Sequence, residues 1–158
     1  MSLSGRPPPT TFEAIEAIAL NDPGRLALVQ DNQSWTYQGV YSDLLRLVRV
    51  LHSLGVKRGD RVAVGTGGLQ AALLLLVAAE NLGAVTTCFL PQNDPDLDAV
   101  FGLVDWVFSD TPQSPPARVR SITLDAAFVA RIQAVDAADP APLPRVALQL
   151  HEPQRISR

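Results

Sequence analysis

The sequence predicts an α/β fold: a layered, mostly parallel sheet flanked by helices. Three observations carry this. Leu54 to Val85 (LGVKRGDRVAVGTGGLQAALLLLVAAENLGAV) reads in order as a turn, a strand, a Gly-rich bend, an apolar helix and the start of a second strand. That is one βαβ unit, the building block of a parallel sheet. Within it, Arg61 to Val64 has no polar alternation after Arg61, which suits a strand buried on both faces. Beyond Val85, short strand, turn and helix signals continue to alternate.

The elements follow in chain order. Gly5 to Pro9 is an extended, Pro-rich lead-in. Thr10 and Glu13 have capping-box spacing, which predicts a helix over Phe12 to Leu20 with Phe12, Ile15, Ile18 and Ala19 on one broad face. Asn21-Asp22-Pro23-Gly24 ends it with turn chemistry. Leu26 to Gln30 and Ser34 to Tyr37 are short strands around a hairpin turn at Asp31-Asn32-Gln33. Thr36 is placed to cap a helix from about Tyr37 to Leu54. Val40, Leu44, Leu47, Val48, Leu51 and Leu54 keep its 3.6-residue period, leaving Asp43, Arg46, Arg49 and Ser53 for solvent. Gly55 is its left-handed stop.

After the turn Lys57-Arg58-Gly59-Asp60 and the strand Arg61 to Val64 comes the bend Gly65-Thr66-Gly67-Gly68. Leu69 to Leu82 is apolar nearly all round, so that helix is expected to be covered on more than one side. Gly83 ends it, and Ala84 to Leu90 is the next strand. Pro91 to Pro95 is a turn from which Asp94 or Asp96 caps a helix through Leu103. Trp106 to Phe108 is a strand closed by Ser109-Asp110. Thr111 to Ala117 is a Pro-rich loop, Val119 to Leu124 a strand, Asp125 to Ala134 a helix, Asp139 to Pro144 a surface linker and Arg145 to Leu150 a last strand.

Composition narrows the function classes. The 158 residues are 47% hydrophobic and 18% charged, which supports a core and argues against a disordered chain. Asp and Glu (16) outnumber Lys and Arg (13), so no nucleic-acid partner is expected. Lys57 is the only lysine. No membrane partner is expected either: the N-terminus has no apolar signal region, and the run Ala71 to Ala79 is far below the ~20 residues a spanning helix needs. Cys88 is the single cysteine and stands among strand-like apolar neighbours, so it reads as a buried, inert thiol in a reducing, cytoplasmic setting.

The residues present no catalytic constellation. Gly65, Gly67 and Gly68 stand where a dinucleotide fingerprint would, but its third glycine would fall at Gln70, and no acidic residue ends the following strand. The plainer reading is a tight turn that needs positive φ. Lys57 precedes the strand, the wrong place for a phosphate-loop lysine. His52 and His151 lack partners at metal-ligand spacing. Asp94, Asp96 and Asp98 suggest a calcium loop, but Pro95 intervenes, Ala99 stands where glycine is needed, and Asp105 where glutamate is. An acidic helix N-terminus accounts for them. Trp35 and Trp106 read as core anchors. No catalytic, cofactor-binding or metal-ligating residue is assigned.

The order of features nevertheless resembles that of adenylate-forming (AMP-binding) enzymes, the acyl- and aryl-CoA synthetases, peptide-synthetase adenylation domains and luciferases. The resemblance rests on Pro23 with Ala27-Leu28-Val29, on Trp35-Thr36-Tyr37, on Leu54-Gly55-Val56-Lys57-Arg58-Gly59-Asp60-Arg61-Val62-Ala63-Val64, and on Gly83-Ala84-Val85 with Pro91. It covers Phe12 to Asp110 well and the rest loosely. Two positions depart from the pattern: Gly67-Gly68 replaces a usual Pro-Asn pair, and Gly39 an acidic residue.

The resemblance implies a lead-in at 1–11 and, over 12–158, part of the N-terminal domain of such a ligase, ending just before its phosphate-binding loop. It implies ATP, Mg and CoA for a full-length parent and none of them for this chain. The expected partners are the remainder of the parent chain and, through uncovered apolar surface, a second copy. Two rivals stand beside this reading: an interaction or regulatory module on half an enzyme fold, and a Rossmann-like nucleotide binder using Gly65–Gly68.

Overall fold

In a computed structural model, which describes residues 7–92 and 94–145, six strands and five helices follow the expected order. Helix α1 (Thr11–Asn21) opens on a complete capping box: the Thr10 hydroxyl accepts from the Glu13 N–H and the Glu13 carboxylate from the Thr10 N–H. Strands β1 (Leu26–Gln30) and β2 (Gln33–Thr36) form an antiparallel hairpin. Its turn residues Asp31 and Asn32 both take positive φ, as a two-residue primed turn requires. Thr36 caps α2 (Tyr37–Leu54), and Gly55 ends it at φ 104°.

The main sheet is parallel throughout, with strand order β4-β3-β5-β6. Its strands are β3 (Arg61–Gly65), β4 (Val85–Cys88), β5 (Trp106–Ser109) and β6 (Arg120–Thr123). The pleat divides the core in two. Val62, Val64, Trp106 and Phe108 face α1, α2, α3 (Leu69–Asn81) and α5 (Ala126–Gln133). Ala63 and Val107 face the other way, onto Phe89, Val119 and the short α4 (Leu97–Leu103). Helix α3 packs against α1, α2, β1, β3 and β4, which explains its apolar circumference. Among the described residues, no helix is long and apolar enough to cross a membrane.

Asp60 shows why the turn before β3 is polar. Its buried carboxylate accepts from the Lys57 N–H, the Lys57 ammonium and the Trp106 indole N–H, at 3.0–3.1 Å. One side chain thus fixes the turn and anchors the stacked pair Trp106 and Phe108. Trp106 is buried as expected, with the Arg120 guanidinium 4.8 Å from its ring centroid.

Several expectations require correction. Cys88 is exposed, because among the described residues β4 is an edge strand with only β3 beside it. The bend at 65–68 contains no glycine with positive φ; Gly55, Gly59 and Gly83 have that role. Gly65 is needed for space instead: a Cβ there would lie 2.3 Å from a ring carbon of Phe89. The Asp96 side chain does not cap α4; Asp94 organises the turn, accepting from the N–H groups of Leu90 and Asp96.

Asp43, Arg46 and Arg49 are only half exposed. The two arginines donate to the carbonyls of Val135, Asp139 and Ala141. The expected surface linker is therefore a strap, pinned further along by Asn81 on the Pro144 carbonyl and by the Arg145–Glu16 ion pair. Guanidinium donors suit it because an irregular segment leaves its carbonyls without ladder partners. Beyond Arg145, the strand expected to Leu150 lies outside the described residues, as does His151.

Candidate functional site

In an open parallel sheet, ligands bind beyond the carboxyl ends of the strands, where the strand order reverses. Here β3 connects to β4 through α3 on one face, and β4 crosses back to β5 through α4 on the other. The reversal falls between β3 and β5, whose C-terminal loops carry Gly65–Gly68 and Asp110.

These loops are bonded to each other. The Gly67 N–H donates to an Asp110 carboxylate oxygen at 2.9 Å, and the Asp110 N–H to the Gly65 carbonyl at 3.2 Å. The Gly68 N–H donates to the Thr66 hydroxyl and the Leu69 N–H to the Gln30 amide oxygen. Of the N–H groups that this loop and helix start would turn toward a phosphate, those of Gly67, Gly68 and Leu69 are thus already engaged. The Asp110 side chain, bonded to the Gly67 N–H, occupies the place where an anion would sit. The glycine bend itself therefore offers no free N–H cradle for the phosphates of a nucleotide.

Beside it, α2, α3 and α5 line a cavity of about 340 Å³ that opens to solvent. Leu47, Leu75 and Phe128 form an apolar floor, while Asp43, Asp110, Gln70 and Gln133 contribute polar groups. Burial raises the Asp43 carboxyl above its ordinary pKa, and Arg46, 3.3 Å away, partly offsets this. Of these residues, the sequence singles out Gln70 only as standing where a third fingerprint glycine would fall, and Asp110 only as a strand end. The helical period of α2 assigns Asp43 to solvent. Their convergence depends on the crossing of α2 and α5 over the sheet, which no local pattern encodes.

The other candidates are dispersed. His52 is exposed in the last turn of α2, Lys57 is paired with Asp60, and Asp96 and Asp98 are exposed at the start of α4. Among the described residues, no group of three or more His, Cys, Asp or Glu could hold a metal ion.

Comparison with known proteins gives a consistent picture. The family described as "AMP-binding enzyme" matches residues 15–152. Acetyl-coenzyme A synthetase 1 of Debaryomyces hansenii is 30% identical over 81 residues, covering 48% of this chain and 12% of that protein. Acetyl-coenzyme A synthetase 2 of Eremothecium gossypii is 30% identical over 80 residues, covering 47% and 12%. The N-terminal subdomain of Klebsiella oxytoca NpsA superposes with a TM-score of 0.72 at 18% identity, over 87% of this chain and 36% of that one. The Mycobacterium tuberculosis fatty acyl CoA synthetase gives 0.67 at 22% identity, over 80% and 28%. At such identities the structural likeness concerns the fold. The chain spans about an eighth of the length of these curated relatives, where 12% of each is matched.

Proposed function

The chain belongs to the AMP-binding enzyme family, and from that premise we propose that it is the N-terminal scaffold of an ATP-dependent acid–thiol ligase. The whole protein would join a carboxylate to ATP, releasing pyrophosphate, and pass the acyl group of the resulting acyl-adenylate to a thiol, releasing AMP. The observation that carries this reading is the family match over residues 15–152. The two curated relatives support a CoA thiol, since both are named acetyl-coenzyme A synthetases. ATP with its magnesium ion, and CoA, are assigned to the whole protein. The cytoplasm is the assigned compartment, because ATP and CoA are supplied there and the exposed Cys88 thiol would stay reduced.

The part we assign to this chain is structural. The turn that carries Asp60, the βαβ unit and the strap form a rigid wall against which further polypeptide completes a site. The donors at Gly67, Gly68 and Leu69 support this, since each is bonded within the chain and not turned to a phosphate. The 158-residue chain is expected to release no pyrophosphate above blank when given ATP, magnesium, CoA and a panel of short, aryl and long-chain carboxylates. Carboxylate-dependent release would overturn the scaffold assignment.

A further inference from the structure

We propose that the cavity between α2, α3 and α5 binds a small amphiphilic cation, an ammonium group on a compact aryl or alkyl body. This goes beyond the ligase reading and does not depend on it. The cavity's volume of about 340 Å³ lies within the range of small-molecule sites, roughly 300–1,000 Å³. Its floor of Leu47, Leu75 and Phe128 suits an apolar body. Its position, beyond the carboxyl ends of β3 and β5, is where this class of sheet places ligands.

Charge selects the head group. The cavity is lined by two carboxylates, Asp43 and Asp110, and by no lysine, arginine or histidine. Asp110 commits one oxygen to the Gly67 N–H, and Asp43 one oxygen to Arg46. Among the described residues, the second oxygen of each has no protein partner, and neither do the Gln70 and Gln133 amides; Asp110 and Gln133 are exposed, Asp43 and Gln70 half-buried, so all four are open to a ligand entering from solvent. These acceptors suit a group that carries several N–H donors. A carboxylate ligand would meet like charge.

The test is a calorimetric and NMR titration of the 158-residue chain with phenethylammonium, alongside the near-isosteric 3-phenylpropionate. Phenethylammonium is expected to bind at about millimolar concentration or tighter, and at least about tenfold more tightly than the carboxylate. Asp110→Asn keeps an acceptor for the Gly67 N–H and is expected to leave the melting temperature unchanged while weakening the ammonium about tenfold. Ala71→Leu fills the cavity without touching either carboxylate and is expected to weaken it as much. The proposal is overturned by equal affinity for the two probes, by no binding of the ammonium, or by binding that both variants leave intact.

Discussion

At the scale of single residues, close approach and ion pairing decide what the motifs are for. Gly65 is glycine because the Phe89 ring occupies the space a side chain would fill; three ring carbons lie within 2.3–2.7 Å of an added Cβ. Phe89 is 5% exposed and cannot swing into water without opening the second core layer. Gly65→Ala is therefore expected to destabilise the fold by about 1–3 kcal/mol, the usual scale of overpacking. Coupling to Phe89 identifies the cause. In a urea-unfolding cycle, adding Gly65→Ala to Phe89→Ala should cost clearly less than adding it to the natural chain. Strict additivity would show that the ring is not what the methyl group meets. Asp105 gives a second expectation. The Arg61 guanidinium and the Arg61 backbone N–H both donate to its carboxylate and lower its pKa. A carboxyl with a lowered folded pKa adds stability above its unfolded value, ~3.9. That stability is lost as pH falls through the lower, folded value. Asp105→Asn should flatten the loss of urea midpoint across this acid window and change its slope little above pH ~5. An unchanged acid slope in the variant would refute the assignment.

At the scale of elements, the legible features were those with local causes. The capping box at Thr10 and Glu13, the hairpin turn expected at Asp31-Asn32-Gln33, the Gly55 stop and the unbroken apolar strand β3 each follow from neighbouring residues, and all four are present, the turn narrowed to Asp31-Asn32 because Gln33 already pairs in β2. The strap was illegible for the opposite reason. DPAPLP has the composition of a loose linker, and the groups that hold it are about 90 positions away in sequence, on the helix face expected to meet water. Arg46 and Arg49 were misread because amphipathic periodicity separates apolar from polar positions but cannot say whether a polar position faces solvent or another segment. Arg49→Ala should release the strap while sparing the core. Amide exchange at residues 136–144 is expected to rise about tenfold or more, while global stability falls by only about 1 kcal/mol. Equal acceleration in β3 and β5 would mean that Arg49 supports the core itself.

At the scale of the whole molecule, the two faces of the sheet are unequally covered. Four helices pack one face, whereas the short α4 with Phe89 and Val119 covers the other. The parallel order could be inferred from the βαβ unit, but the edge position of β4 could not. Strand order depends on which side each crossover takes, and that is why Cys88 was expected inside and is found outside. The edge carries apolar groups in water: Val85 is 64% exposed, Leu90 67%, and Leu103 of the neighbouring α4 64%. Among the described residues this strand edge is uncapped, and such an edge with flanking apolar side chains is a template for pairing with another chain. The 158-residue chain is accordingly expected to associate with itself as concentration rises, through β4. Light scattering across a dilution series should show a mass that climbs above the 17.0 kDa of one chain. Val85→Lys places a charge on the edge without entering the core and should return the mass to that of a monomer. A constant monomer mass at high concentration would refute the expectation outright. Association that Val85→Lys leaves intact would exclude β4 as the contact and move it to another exposed apolar site, such as Leu20.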